Sequence, residues 1–286
     1  MDSYLFYTSF MTIFEALKIS RKKLSDAGIE SASLDASLIL SHLTHLSKVQ
    51  LITHDSDELS DDILNKLNSL IDKRITGYPI AYILGYKEFW GLKLKVTEDT
   101  LIPRPDTEII VQCALDRKVK GSILDMGTGS GAIILALKSE YRDNVEAFAC
   151  DFSEKALEVA KENSKALDLE VTFIHSDWFS NLVDKKFSLI VSNPPYIEEN
   201  DPHLTKTSLP YEPISALTSG ADGLNDIRII CRDALAHLKT DAPLMIEHGY
   251  NQGLSVRDIF VSYGYKNVET VIDFAGNDRV TVGYKR

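Results

Sequence analysis

The sequence predicts an α/β protein: a doubly wound, mostly parallel sheet, preceded by a small helical domain and a β-hairpin linker. Three observations carry this. From residue 122 onward short apolar runs alternate with amphipathic helical stretches, the pattern of a parallel sheet covered on both faces. Residues 12–84 hold helix caps and helical spacing. Between the two regions, Gly91 separates two short strand-like segments.

The composition admits this class and excludes several others. A chain of 286 residues, 44% hydrophobic and 26% charged, can bury one large core or two smaller ones. No apolar run is long enough to span a bilayer. Residues 1–11 are apolar and aromatic but have no basic flank and no small-residue cleavage site. They are expected to be a disordered extension before the first helix rather than a signal peptide. Cys113, Cys150 and Cys231 are odd in number and widely spaced, which argues against a disulfide framework or a zinc site and fits a reducing cytoplasm. A formal net charge of -11 disfavours free nucleic acid as the main partner.

In chain order, Thr12 and Glu15 form a capping-box pattern ahead of Phe14, Leu17 and Leu24, with Gly28 as the stop. A second helix is expected over residues 34–43. Ser60 caps a third, in which Ile63, Leu67, Leu70, Ile71 and Arg74 recur at helical spacing up to Gly77, and residues 80–84 make a further turn. Residues 1–84 therefore read as a helical domain, either a stabilising appendage or a dock for a macromolecular substrate. Residues 88–90 and 92–96 read as a hairpin. The segment Leu101-Ile102-Pro103-Arg104-Pro105-Asp106-Thr107-Glu108 is a stiff connector in which Pro105 can open a helix. It would bring Arg104 and Glu108 beside the sheet as a wall of an active site. The linker is assigned to residues 85–106 and the catalytic domain to 107–286. Strands are expected over 123–126, 145–150, 171–174, 189–191, 243–246, 268–272 and 280–284. The last pair, joined by a short turn at Gly276-Asn277-Asp278, should be antiparallel.

The chemistry concentrates at strand ends. Asn193-Pro194-Pro195-Tyr196 follows the apolar run of residues 187–191, at the carboxyl end of a buried strand, where open α/β sheets hold their ligands. Two prolines remove two backbone donors and fix two φ angles, leaving a stiff loop. The side-chain oxygen of Asn193 and the carbonyl of Pro194 can each accept an N–H of a planar nitrogen, aiming its lone pair at an electrophile. Tyr196 offers a flat face to a planar group. Asp125-Met126-Gly127-Thr128-Gly129-Ser130-Gly131 lies between the first strand and its helix. Alone this also satisfies a dinucleotide pattern, through Gly127, Gly129 and Ala132. Asp151, after the second strand, can bind ribose hydroxyls in either case. Asp125, however, would repel a pyrophosphate and could attract an ammonium or sulfonium, directly or through water. Asp177-Trp178, after the third strand, suits an adenine. Hydride transfer has no use for the double-proline loop, whereas methylation of a planar nitrogen does. His175 and His248 near strand ends are read as structural.

These residues together resemble class I methyltransferases that use S-adenosylmethionine. The chain is closely similar to one family among them, the glutamine methyltransferases of peptide chain release factors (PrmC or HemK). The likeness covers nearly the whole chain and rests on residues 85–90, 101–108, 127–131, 176–179, 192–197, 201–204, 247–249 and 277–280. The related family acting on a ribosomal protein shares Asn-Pro-Pro-Tyr, but Ile-Pro-Arg-Pro-Asp-Thr-Glu favours the release-factor branch. The resemblance implies a Rossmann-like seven-stranded sheet with an antiparallel last strand. It implies that Gly127, Thr128, Gly129, Ser130 and Gly131 hold the methionine part of S-adenosylmethionine, Asp151 its ribose, and Asp177 with Trp178 its adenine. Asn193 would adjoin the cofactor, and with Pro194, Pro195 and Tyr196 it would hold the glutamine of a Gly-Gly-Gln loop. No metal, no membrane and a monomer are expected. A nucleic-acid adenine methyltransferase would use the same loop on an exocyclic amine but should carry a basic groove. A nicotinamide dehydrogenase and a non-catalytic binding module stay as alternatives from other classes.

Overall fold

The computed structural model describes residues 11–206 and 208–286, so the expectation for the residues before Met11 lies outside the described residues. The chain divides into two compact units, Met1–Gly85 and Tyr86–Arg286.

The first unit is helical: α1 (Ile13–Asp26), α2 (Ala32–Thr44), α3 (Lys48–Thr53), α4 (Asp61–Ile75) and α5 (Ile80–Leu84). The Thr12 hydroxyl accepts the Glu15 N–H while the Glu15 carboxylate accepts the Thr12 N–H, and the Ile13 and Phe14 N–H groups donate to the Asp57 and Asp55 carbonyls, so the donors at the start of α1 are satisfied. Ser60 caps α4 through the Ile63 N–H. The sequence reading passed over α3, although Ser47 and Gln50 form a second capping box there. Ile13, Leu24, Ile39, Leu40, Leu51 and Ile71 meet in the core of the unit. At its edge Asp35, 2% exposed, accepts the Arg74 guanidinium at 2.8 Å and the Ser31 hydroxyl at 2.8 Å, tying α2 to α4.

The second unit begins with the hairpin β1 (Tyr86–Phe89) and β2 (Leu92–Lys95). Trp90, expected in the first strand, is instead in the turn: Trp90 and Gly91 both have positive φ, 51° and 70°. A two-residue connection of that handedness matches strand twist. Glu108 does not face a site, contrary to expectation. Its carboxylate accepts the Trp90 N–H at 2.8 Å and holds the hairpin turn. Arg104 pairs with the buried Glu212, which also accepts the Ile102 N–H at 3.0 Å.

A 3-10 turn at Pro105–Thr107 leads into α6 (Glu108–Asp116), and the sheet follows. Its elements are β3 (Gly121–Met126), α7 (Ala132–Tyr141), β4 (Val145–Asp151), α8 (Glu154–Ala166), β5 (Thr172–His175), β6 (Leu189–Ser192), α9 (Asn225–His237), β7 (Pro243–Glu247), α10 (Gly253–Ser262), β8 (Lys266–Ile272) and β9 (Asp278–Tyr284). The order across the seven-stranded sheet is β5-β4-β3-β6-β7-β9-β8. β9 is antiparallel to both neighbours, and all pairs among β3 to β7 are parallel. This is the Rossmann-like sheet with an antiparallel last strand, and β9 inserts between β7 and β8.

Two apolar cores cover the sheet. Ile110, Ile134, Leu135 and Val282 belong to one, Leu124, Ile190, Ile230 and Phe260 to the other. The winding direction reverses between β3 and β6. The crevice outside their carboxyl ends is therefore the switch point where ligands bind.

Candidate active site

Met126 on β3 and Ser192 on β6 are register partners, so Gly127 and Asn193 leave the sheet side by side. A cleft of about 430 Å³ opens there. It is lined from the sequence-predicted set by Gly127, Gly129, Asp151, Asp177, Trp178, Asn193 and Pro195.

The glycine loop is tied to β4. The N–H groups of Gly127 and Thr128 donate to the Cys150 carbonyl at 2.9 and 3.0 Å, and the Gly129 N–H donates to Asp151 Oδ2 at 2.8 Å. Gly127 has φ +67°, and a Cβ there would lie 3.6 Å from the Trp178 ring. Gly131 begins α7 with φ +85°. A Cβ on it would come within 3.0 Å of Leu135 and 3.3 Å of Ala160. Thr128, Ser130 and Gly131 do not line the cleft. Thr128 donates to Asp125 at 2.6 Å, the Ser130 carbonyl accepts from Asn163, and Gly131 is a packing glycine.

Asp125 is fully buried and lies outside the cleft lining, and its Oδ1 has no hydrogen-bond partner among the described residues. Desolvation pushes its carboxyl up to about 7, against the Thr128 hydrogen bond. Asp151 keeps its place in the cleft. Its Oδ1 accepts the Ser153 N–H at 2.8 Å, and each oxygen retains a lone pair for a ligand hydroxyl. Burial pushes its carboxyl up, while those backbone donors pull it down. Trp178 has φ +44° and is held at both ends. Its carbonyl accepts the Ser176 hydroxyl at 2.7 Å, and its indole N–H donates to Asp226 at 3.1 Å.

At the end of β6 the structure separates the four loop residues. Asn193 and Pro195 line the cleft, Pro194 is buried, and Tyr196 packs against the apolar core. The Tyr196 carbonyl accepts the Gln252 amide at 2.9 Å. Burial raises its phenol, and the Glu247 charge adds to the shift. Tyr196 thus braces the loop. His175 Nε2 lies 2.8 Å from the Phe152 carbonyl, and His248 lies between the Gly249 carbonyl and the Thr281 hydroxyl.

Several lining residues escaped the sequence reading: Glu98, Asp99 and Asp226 among them, with Pro213. Asp226 had a signal, since it opens a helix, but its meeting with Trp178 is a long-range contact. The described lining residues include five carboxylates (Glu98, Asp99, Asp151, Asp177 and Asp226) and neither lysine nor arginine. Such a rim favours a cationic ligand and opposes a pyrophosphate.

Comparison with known proteins agrees. Residues 15–85 match the model of the PrmC N-terminal domain, and residues 105–209 that of the methyltransferase small domain. The release factor glutamine methyltransferase of Vibrio cholerae is 46% identical over 277 residues, covering 96% of each chain. The chain belongs to the release factor glutamine methyltransferase family. Another member, from Escherichia coli K12, is 42% identical over 257 residues, covering 89% of this chain and 92% of that one. Among solved structures, a methyltransferase from Pyrococcus furiosus shares the fold, with a TM-score of 0.51 at 19% identity over 76% of this chain and 98% of the other. As a member of a release factor glutamine methyltransferase family the chain is an enzyme of the methyltransferase class. Among the described residues no group of side chains could hold a metal ion, and no helix is long and apolar enough to cross a membrane.

Proposed function

We propose that this chain transfers the methyl group of S-adenosylmethionine to the side-chain amide nitrogen, N5, of the glutamine in the Gly-Gly-Gln loop of a peptide chain release factor. The observation that carries the reading is the pairing of Met126 with Ser192, which sets a glycine loop and Asn193 at one mouth of an acid-rimmed cleft.

The cleft fits the cofactor on its own chemistry. S-adenosylmethionine carries a sulfonium and an ammonium, which the carboxylate rim suits, and two ribose hydroxyls, for which Asp151 has free lone pairs. Asp177 and Trp178 would take the adenine, and Gly127 and Gly129 let the methionine part approach the backbone. When bound, the cofactor supplies an electrophilic methyl group. The protein's own task is to hold an otherwise poor nucleophile. Asn193 Oδ1 and the Pro194 carbonyl would accept the two N–H bonds of the substrate amide. Those bonds strengthen as the nitrogen becomes positive, which is differential binding of the transition state. Positioning of this kind is worth at most about 7–11 kcal/mol. The double-proline loop gives it little freedom to lose.

The first unit, residues 1–85, is assigned to docking the protein substrate, and a cytoplasmic location belongs to the same proposal. The test is methyl transfer from labelled S-adenosylmethionine to a purified release factor, with mass mapping of the product. Label on the Gly-Gly-Gln glutamine is expected. Label confined to a ribosomal protein or to adenine in nucleic acid would overturn the assignment.

A further inference from the structure

Behind Asn193 lies a short buried relay that the reaction as written does not use. Asn193 Nδ2 donates to Thr107 Oγ1 at 3.2 Å, and Thr107 Oγ1 donates to Glu247 Oε1 at 3.2 Å. The three residues come from three places: the loop after β6, the 3-10 turn before α6, and the end of β7. Thr107 is 4% exposed and Glu247 1%. The second oxygen of Glu247, Oε2, is buried without a hydrogen-bond partner among the described residues.

Hydrogen-bond direction in such a chain is not free. A threonine hydroxyl has one proton, and an ionised carboxylate can only accept. With Glu247 ionised, the Thr107 proton is committed to it. Thr107 can then only accept from Asn193, so the Asn193 amide must turn its NH2 group inward. That leaves Oδ1, the acceptor, for the cleft. With a neutral, donating group at position 247 the chain can run the other way, and Asn193 would meet a substrate N–H with an N–H of its own.

We propose that Thr107 and Glu247 are positioning residues that set the polarity of the Asn193 side chain, so that it presents an acceptor and not a donor to the substrate amide. This rests on the reading that Asn193 accepts from that amide. The surroundings of Glu247 bear on its charge. Burial pushes its carboxyl up to about 7; the Thr107 hydrogen bond, Arg279 from β9 and the Tyr196 phenol favour the ionised form, and Asp106, beside Thr107, opposes it, with His248 the other titratable group at hand. Arg279 is itself shared with Asp106 at 3.2 Å and Asp273 at 3.0 Å.

The test uses the full chain with labelled S-adenosylmethionine and a purified release factor. Thr107→Val keeps the shape and removes the hydroxyl; Thr107→Ser keeps the hydroxyl. The expectation for Thr107→Val is a kcat lower by about 10²-fold, the scale of a lost transition-state hydrogen-bonding group. KM for the release factor and Kd for the cofactor should stay within about threefold, since a 1.4 kcal/mol change would already be tenfold. Thr107→Ser should recover most of kcat. In an Asn193→Ala background, Thr107→Val should cost nothing further, because the group it orients is gone. Glu247→Gln should lower kcat and flatten the rise of activity with pH that ionisation of Glu247 produces.

Thr107→Val at wild-type kcat, or equal losses in kcat and cofactor affinity, would overturn the inference. So would an undiminished Thr107→Val effect in the Asn193→Ala background. Failure of the wild-type enzyme to modify the release factor would instead remove the proposed function on which the inference stands.

Discussion

Ser192 sits opposite Met126 across the β3–β6 pair, and its hydroxyl donates to the Met126 carbonyl at 2.8 Å. This buried bond closes the two strands at the point where both chains leave the sheet. The glycine loop leaves from one of those exits and the Asn193 loop from the other. An apolar replacement at 192 would leave the Met126 carbonyl without this donor, a cost of about 1–3 kcal/mol. Ser192→Val should therefore lower thermal stability and loosen both loops, read as a lower Tm together with weaker cofactor binding.

Asn193→Ala should separate chemistry from binding. Turnover should fall by about 10²-fold or more, as when one transition-state partner is removed from a preorganised site. Cofactor affinity by calorimetry should change little. Equal loss in both measurements would mean that Asn193 serves the cofactor instead.

Asp151 has the opposite signature. Its carboxylate braces Gly129 and Ser153 and faces the cleft. Asp151→Ala removes those acceptors and the lone pairs left for ribose hydroxyls. Cofactor affinity should fall by about 10- to 100-fold, two charge-assisted hydrogen bonds being worth about 1.5–3 kcal/mol each before compensation by water. Titration with S-adenosylmethionine measures it.

Asp125 should give the fold a pH dependence. Its carboxyl is pushed up to about 7 by desolvation in the native state and returns to the ordinary carboxylate range, roughly 3.9, on unfolding. The native state then holds the extra proton between those values, so stability is fullest below pH ~4 and declines as pH rises through about 7. The span corresponds to at most about 4 kcal/mol. Asp125→Asn, which can still accept from Thr128, should flatten this part of the curve in urea titrations at pH 5 and pH 8. An unchanged slope would remove Asp125 as its source.

The helical unit depends on one buried ion pair. Asp35→Ala leaves the partly buried Arg74 without its carboxylate and should destabilise this unit by about 3–5 kcal/mol. A joint Asp35→Leu, Arg74→Leu replacement should cost far less. Hydrogen exchange on α2 and α4 distinguishes the two outcomes.

What could be read from the chain alone was local. Capping boxes such as Thr12 with Glu15, the apolar runs of the strands, the glycine loop and the double-proline corner each announce themselves within a few residues, because caps, periodicity and φ restriction act over a turn or two of chain. Even α3 had its signal in Ser47 and Gln50. The tertiary structure decided what depends on distant partners. How deeply Asp125 lies is one such matter, since strand pairing on both sides buries it. Tyr196, half-buried, packs against the core through residues far along the chain. Glu108 was taken by the hairpin turn, and β9 was inserted between β7 and β8. Thr107 and Glu247 lie 140 residues apart in sequence, and no local pattern links them. Only closure of the sheet brings a hydroxyl and a carboxylate together behind Asn193, where the burial of both makes the direction of each hydrogen bond matter.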